Sequence, residues 1–203
     1  MREHISNHVE DSNTLEVLNK MIDVVVHTLR TNIYMEDRYA LGLRLNPRIM
    51  HPVDSDDRDL PFGVIFIHGR RFNGYHFRFR DISRRGMHLV THPNLEQYAL
   101  ESEEHYDKCY GLAFAQQLKN KNIPDGGAKA VNLIDVSGLS NKGKDFAMRK
   151  SVKAFTDSIL DLIVTTEETQ KNIVDYFGKK ELLYLGPDKQ VSLFSFFVTY
   201  HKQ

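Results

Sequence analysis

The chain has 203 residues with 27 basic and 27 acidic side chains, so its formal net charge is zero at neutral pH. This balance argues against a general polyanion-binding protein, and the single cysteine, Cys109, excludes an intramolecular disulfide. No apolar run reaches the length of a membrane span, and the first residues lack the apolar segment of a secretory signal. We therefore expect a non-membrane protein of a reducing compartment.

Hydrophobic spacing predicts helices and strands that alternate along the chain, which indicates an α/β domain. The first half is predicted to hold a helix from Asn13 to about Arg30, a strand from Arg38 to Leu45, an exposed loop from His51 to Pro61, a strand from Phe62 to His68, a strand through Tyr75, Phe77 and Phe79, and a strand from Met87 to Thr91. The second half is predicted to hold a helix from Pro93 to Lys119, a strand from Ala130 to Asp135, a helix capped by Asp145, a helix from Glu167 to Phe177, and a strand from Glu181 to Leu185.

The run K-N-K-N-I-P-D-G-G-A-K, from Lys119 to Lys129, carries the clearest chemical signal. Gly126 and Gly127 lack a Cβ, so the backbone there can pass close to a ligand. Lys129 can project into the same space, where lost solvation and neighbouring cations would make its amine a usable base. The alternative is a solvated lysine in a turn.

Further cations and one acid could complete such a site. Lys119 could bind a carboxylate, although a lysine at a helix end also favours the helix dipole without any ligand. Arg84, beside Arg85 and Gly86, could hold a second carboxylate or simply belong to a charged turn. Asp188 follows a predicted strand, where α/β sites often lie, and its ordinary alternative is a helix N-cap.

Other functional classes find less support in the sequence. The ten histidines are scattered without a Cys/His cluster, so no metal site is predicted. Neither G-x-G-x-x-G nor G-x-x-x-x-G-K-[ST] occurs, so no nucleotide-binding loop is visible. Alternation of Tyr75, Phe77 and Phe79 with basic residues loosely suggests an RNA-binding strand, but the pattern is incomplete and no nucleic-acid partner is expected.

Several motifs, in order from about Thr31 to Asp188, resemble the large NAD-specific glutamate dehydrogenases of the fungal type. They are TNIYMEDRYALGLRLNP, RFNGYHFRFRDISRRGMHLV, KNKNIPDGGAKAV, FTDSILDLI and LYLGPDK. The resemblance implies a mixed β-sheet flanked by helices, like the substrate-binding domain of amino-acid dehydrogenases. It divides the chain into an N-terminal helical segment (1–30), a substrate and catalytic domain (31–188) and an atypical apolar tail (189–203).

The resemblance also implies an activity, the NAD-dependent oxidative deamination of L-glutamate to 2-oxoglutarate and ammonia. Lys129 matches the lysine that activates water, and Asp188 matches the aspartate that moves protons on the substrate nitrogen. Arg84 and Lys119 match carboxylate anchors, although smaller relatives place the second anchor two residues earlier, at Gln117. Gly126 and Gly127 would shape the backbone around the substrate.

The resemblance further implies a homo-oligomer, located in the cytoplasm or alternatively in the mitochondrion. We expect NAD to be bound by a domain absent from this chain, which would make the isolated chain poorly active. Two residues depart from the family pattern near the pocket, because Arg85 replaces a glycine and His88 replaces an arginine. The competing hypothesis is an inactive fragment that binds a dicarboxylate or associates with complete subunits.

Overall fold

The structure is a computed structural model that describes residues 1–50, 59–120, 122–164 and 166–188; the side chains of Arg84, Arg85 and Pro187 lie outside the described part. Its helices are α1 (Arg2–His8), α2 (Ser12–Val26), α3 (Leu95–Lys119) and α4 (Asn141–Ile163), with 3-10 turns at Pro47–Met50 and Gln170–Asn172. Its strands are β1 (Thr28–Thr31), β2 (Ala40–Leu45), β3 (Gly63–Gly69), β4 (Phe72–Arg78), β5 (Ile82–His92), β6 (Ala128–Asp135), β7 (Val174–Asp175) and β8 (Leu182–Pro187).

The eight described strands form one sheet in the order β7-β1-β2-β3-β4-β6-β5-β8. Strands β1 to β4 form an antiparallel meander, and β6 joins it antiparallel to β4. β5 pairs in parallel with both β6 and β8. Parallel neighbours need long crossover connections, and here α3 links β5 to β6 while α4 lies between β6 and β8 in the chain. The α/β fold with a mixed sheet is confirmed.

The two long helices cover opposite faces of the sheet, and each face has its own core. Val152, Phe155 and Leu162 of α4 pack on one face against a cluster that includes Ile65 and Ile134. On the other face α3 contributes Cys109, Tyr110 and Ala113, which pack against a second cluster of sheet residues, Val64, Phe77 and Val131. Alternating side chains of each strand therefore enter different cores.

Most predicted elements are present, with shifted boundaries. The helix predicted from Asn13 is α2, which begins at Ser12 because Asp11 accepts a hydrogen bond from the backbone N–H of Thr14 at 2.7 Å and caps it. It ends at Val26, and the following residues form β1 instead of the predicted last helical turn. Three consecutive β-branched residues, 24–26, weaken the helix at this point.

Two helix predictions were wrong. Helix α4 begins at Asn141 rather than at Asp145, because the hydroxyl of Ser140 accepts a hydrogen bond from the N–H of Gly143 at 3.3 Å. The predicted helix from Glu167 to Phe177 is only a 3-10 turn followed by β7. Thr166 and Thr169 exchange side-chain and backbone hydrogen bonds, which compete with helix formation. Most of the loop predicted for 51–61 and the tail predicted for 189–203 lie outside the described residues.

Candidate active site

Lys129, the second residue of β6, faces helix α3. It lies directly opposite Phe77 of β4, and the Phe77 ring belongs to the core beneath α3. Directly paired residues of antiparallel strands share a face of the sheet. Only 12% of the Lys129 side chain is exposed. β6 therefore holds this lysine in a largely enclosed position rather than in a solvated turn.

Asp188 reaches Lys129 from the far side of β5. It follows β8, and its Oδ2 accepts a hydrogen bond from Nζ of Lys129 in an ion pair. β5 separates β6 from β8, and Gly86 of β5 lies opposite Gly186 of β8. Because neither glycine carries a side chain, the sheet between the two strands is bare at this register position. The Asp188 side chain is 36% exposed, so the pair can be reached from solvent.

Close packing explains why glycine occupies positions 126 and 127 in this structure. A Cβ on Gly127 would lie 2.1 Å from the backbone nitrogen of Gln117 and 2.5 Å from the carbonyl oxygen of Ala113, both in α3. A Cβ on Gly126 would lie 2.6 Å from the Cβ of Arg80. The glycine pair therefore lets the chain enter β6 in close contact with α3. A direct role of these glycines at the substrate stays a prediction.

Gln117, rather than Lys119, is the α3 side chain that contacts the glycine pair. Its Oε1 accepts a hydrogen bond from the backbone N–H of Gly127 at 2.7 Å. Lys119 is the last residue of α3 and is exposed. Gln117 occupies the position at which smaller relatives were expected to carry their anchor. The amide fixes the backbone two residues before Lys129, and the role of Lys119 stays a prediction.

Arg84 is placed in the sheet by its backbone alone. It belongs to β5, where it pairs with Tyr184 of β8, and its side chain lies outside the described part. Its neighbour Ser83 forms a parallel bridge with Gly126. The strand that contains Arg84 therefore runs beside the glycine pair, while its role as a carboxylate anchor remains a prediction.

Cys109 lies on α3 below the lysine and is fully buried. Its Sγ is 3.6 Å from the backbone oxygen of Lys129 and 3.5 Å from that of Tyr75. Burial raises the pKa of this thiol well above its ordinary value. A protonated, enclosed thiol is a core group rather than a nucleophile.

A buried charge cluster anchors β8, the strand that leads to Asp188, and no sequence pattern indicated this cluster. Glu181, directly before β8, has a side-chain exposure of 0% and forms ion pairs with Arg30, Arg44 and Arg78. The distances are 3.2 Å to Nη1 of Arg30 and 3.0 Å to Nη2 of Arg44. Asp175 adds a second carboxylate 2.8 Å from Nε of Arg30.

Burial and the neighbouring guanidinium groups make the charged forms of Arg44 and Arg78 less favourable. Burial, together with the neighbouring arginines, lowers the pKa of Arg44 to about 10 and that of Arg78 to about 9. Both groups remain charged at neutral pH and depend on Glu181 for compensation. Arg78 lies in the strand where aromatic and basic residues were predicted to alternate, whereas the acidic partner of Arg44 and Arg78 is more than a hundred residues away from both.

The aromatic residues of β4 and its continuation are covered by α3. The rings of Tyr75 and Phe77 contact Tyr106 edge-on, with centroid distances of 5.5 Å and 5.3 Å. Phe79 lies 5.6 Å from the Phe114 ring. Stacking on RNA bases needs exposed ring faces, and these rings instead build the core beneath α3. These rings are therefore covered where the RNA-binding hypothesis requires exposed surfaces for base stacking.

Residues 2–197 match the family described as bacterial NAD-glutamate dehydrogenase, catalytic domain. The chain belongs to this family. The matched range extends beyond both ends of the segment 31–188 in which the motifs were recognised. Within the described residues, no group of His, Cys, Asp and Glu side chains is placed to hold a metal ion. No described helix is both long and apolar enough to cross a membrane.

Individual relatives agree with this glutamate dehydrogenase family. Glutamate dehydrogenase 2 of Dictyostelium discoideum is 34% identical over 92% of this chain, and the NAD-specific glutamate dehydrogenase of Saccharomyces cerevisiae is 34% identical over 93%. The NAD-specific enzyme of Neurospora crassa is 36% identical over 81% of the chain. The chain spans 17%, 16% and 15% of the length of these three enzymes.

Proposed function

We propose that the chain supplies the substrate side of an NAD-dependent glutamate dehydrogenase, which converts L-glutamate to 2-oxoglutarate and ammonia. The observation that carries this proposal is the ion pair between Lys129 and Asp188. Two strands separated by a third bring together a basic and an acidic group, at the edge of a bare stretch of sheet. The membership of residues 2–197 in the catalytic-domain family supports the same conclusion.

The pair provides the proton transfers that hydrolysis of an iminium ion requires. After passing its own proton to Asp188, Lys129 takes a proton from the water whose oxygen bonds to the iminium carbon, and the substrate becomes a carbinolamine. Asp188 donates its proton to the substrate nitrogen, the carbon–nitrogen bond breaks, and the Asp188 carboxylate takes up the hydroxyl proton as ammonia and 2-oxoglutarate form. The hydrogen bond from Nζ to Oδ2 is a route along which a proton passes between the two residues.

Glutamate has two carboxylates, so two separated cationic side chains are needed to hold it in one orientation. Correct orientation accounts for much of an enzyme's rate enhancement. We assign one to Arg84 of β5 and the other to Lys119 at the end of α3. Gly126 and Gly127 join these elements to β6. Gln117 holds the glycine pair against α3 and so fixes the base of the Lys129 side chain.

The described residues do not fit a dinucleotide. Two connections lead from a strand into a helix, residues 93–94 before α3 and residues 136–140 before α4. The first lacks glycine and the second contains only Gly138, so neither has the glycine-rich turn that cradles a pyrophosphate. We propose NAD as the oxidant, because the relatives are named NAD-specific.

Calorimetry with two keto acids tests the substrate class. We compare 2-oxoglutarate with 4-methyl-2-oxopentanoate, which has an isopropyl group in place of the terminal carboxymethyl group and so lacks the side-chain carboxylate. The proposal expects 2-oxoglutarate to bind at least about tenfold more tightly. It also expects Arg84→Met to remove this preference, whereas Arg149→Met, on the exposed surface of α4, should leave it unchanged. Equal affinity for both keto acids would refute glutamate as the substrate.

A further inference from the structure

A cleft between the sheet and the first half of α4 lies away from the Lys129 site. It has a volume of about 400 Å³, within the usual range for small-molecule sites. Phe72, which lines the cleft, pairs with Ile134 of β6. Ile134 lies five positions beyond Lys129, or about 17 Å along the strand. Phe72 packs in the core beneath α4, whereas Lys129 faces α3. The cleft is therefore separate from the proposed substrate site.

Apolar side chains form the body of this cleft. Phe72 and Ala154, which are 5% exposed, form its floor, and Leu139 and Ala147 add aliphatic surface. The ring of Phe146 stands at the opening and is 65% exposed. Exposure of an aromatic ring to water is unfavourable, and an exposed ring beside a concave apolar surface is typical of ligand sites.

Cations line the cleft without any acid among its described lining residues. They are Arg70 and Arg71, in the turn between β3 and β4, and Lys150 of α4. Nζ of Lys150 lies 3.2 Å from the centroid of the Tyr39 ring, which also lines the cleft. Asp135 lies 3.8 Å from Nη1 of Arg71 and compensates that cation in part. The lining therefore favours an anion.

We propose that this cleft binds a small amphipathic anion, with an aromatic or aliphatic body and one carboxylate, sulfonate or phosphate group. The body lies on Phe72, Ala154 and Phe146. The anionic group lies between Lys150 and Arg70. This site is independent of the proposed glutamate chemistry, because it lies on the other face of the sheet.

Fluorescence titration with 1-anilinonaphthalene-8-sulfonate tests the site, and the chain has no tryptophan to interfere. Octanoate should displace the dye, since it has both an apolar chain and a carboxylate. Inorganic phosphate and 1-octanol each have only one of the two parts, so each should displace it at least about tenfold more weakly. Displacement by 1-octanol as strong as that by octanoate would overturn the requirement for an anion.

Variants of the lining locate the binding. Lys150→Met and Arg70→Met should each weaken dye and octanoate binding about tenfold. Phe146→Ala should weaken it as well, and its exposed position leaves the core intact. Arg149→Met is the control, because Arg149 is the exposed neighbour of Lys150 and is paired with Asp145. Unchanged binding in the three lining variants, or an equal loss in the control, would overturn the proposal.

Discussion

Nζ of Lys129 and Oδ2 of Asp188 form an ion pair between residues 59 positions apart in the chain. The contact requires β5 to lie between β6 and β8, so it depends on both crossover connections. One partner is 12% exposed and the other 36%. The pair therefore combines an enclosed amine with a carboxylate that solvent can reach.

The two residues should be energetically coupled. A double-mutant cycle with Lys129→Met and Asp188→Asn, measured by urea unfolding, should give a coupling free energy of about 1 kcal/mol. This value lies toward the lower end of the range for residues in contact, because Asp188 is partly solvated. Strictly additive effects would show that the ion pair does not form in solution.

Gly127→Ala should destabilise the protein by about 1–3 kcal/mol, which is the usual cost of overpacking. The new Cβ would lie 2.1 Å from the backbone nitrogen of Gln117, and a helix backbone cannot rotate away as a side chain can. Thermal unfolding measures the change.

Gly111→Ala is the matched control in the same helix, because nothing lies within 4 Å of its Cβ position. Alanine is the better helix former, so this variant should gain about 0.5–1 kcal/mol. A Gly127→Ala protein as stable as wild type would contradict the close approach of α3 to the glycine pair.

Glu181→Gln should be among the most damaging single changes. It would leave Arg30, Arg44 and Arg78 without their shared buried carboxylate, and breaking a buried ion pair costs about 3–5 kcal/mol. Asp145→Asn removes an exposed carboxylate paired with Arg149 on α4 and should cost less than about 1 kcal/mol. Similar losses in both variants, measured by urea unfolding, would contradict the anchoring of β8 through Glu181.

Stability should fall in mild acid because of His76. Burial, with a smaller contribution from Arg78, lowers the pKa of His76 from 6.5 to about 3. Below about pH 6.5 the unfolded chain binds a proton that the folded chain excludes, so the free energy of unfolding decreases by about 1.4 kcal/mol per pH unit down to about pH 3. Above pH 6.5 the contribution is complete.

His76→Leu isolates this term, because it removes the titrating ring while keeping an apolar side chain. The slope of unfolding free energy between pH 5 and 6 should decrease by about one proton relative to wild type. Burial also lowers the pKa of His105, so part of the slope should remain. Identical slopes for the two proteins would show that His76 is solvated.

Much of the fold was predictable where local signals are strong. Asn94 caps α3 by accepting a hydrogen bond from Gln97, and the helix begins at Leu95, two residues after its predicted start. Alternation predicted β3 and β4 within a few residues. The local pattern of residues 167–177 predicted a helix, which the structure lacks. The hydrogen bonds between Thr166 and Thr169 compete with helix formation, and the hydrophobic pattern does not reveal them.

The candidate site was predictable in part. The motif around Lys129 and the position of Asp188 indicated their chemistry, and the structure brings these two residues together. The sequence identifies Gln117 only as the position where smaller relatives carry an anchor. Nothing in the sequence shows that α3 passes within hydrogen-bonding distance of Gly127. Glu181 was missed because its partners come from β1, β2 and β4, and only the sheet order places them around it.

Binding of 2-oxoglutarate to wild type, Lys129→Ala and Lys153→Ala tests the central claim most directly. Lys153 forms a partly buried ion pair with Asp157 on α4, so its loss removes a similar interaction away from the site. Calorimetry should show at least about tenfold weaker binding in Lys129→Ala and unchanged binding in Lys153→Ala. Unchanged affinity in Lys129→Ala would contradict its place in the substrate site.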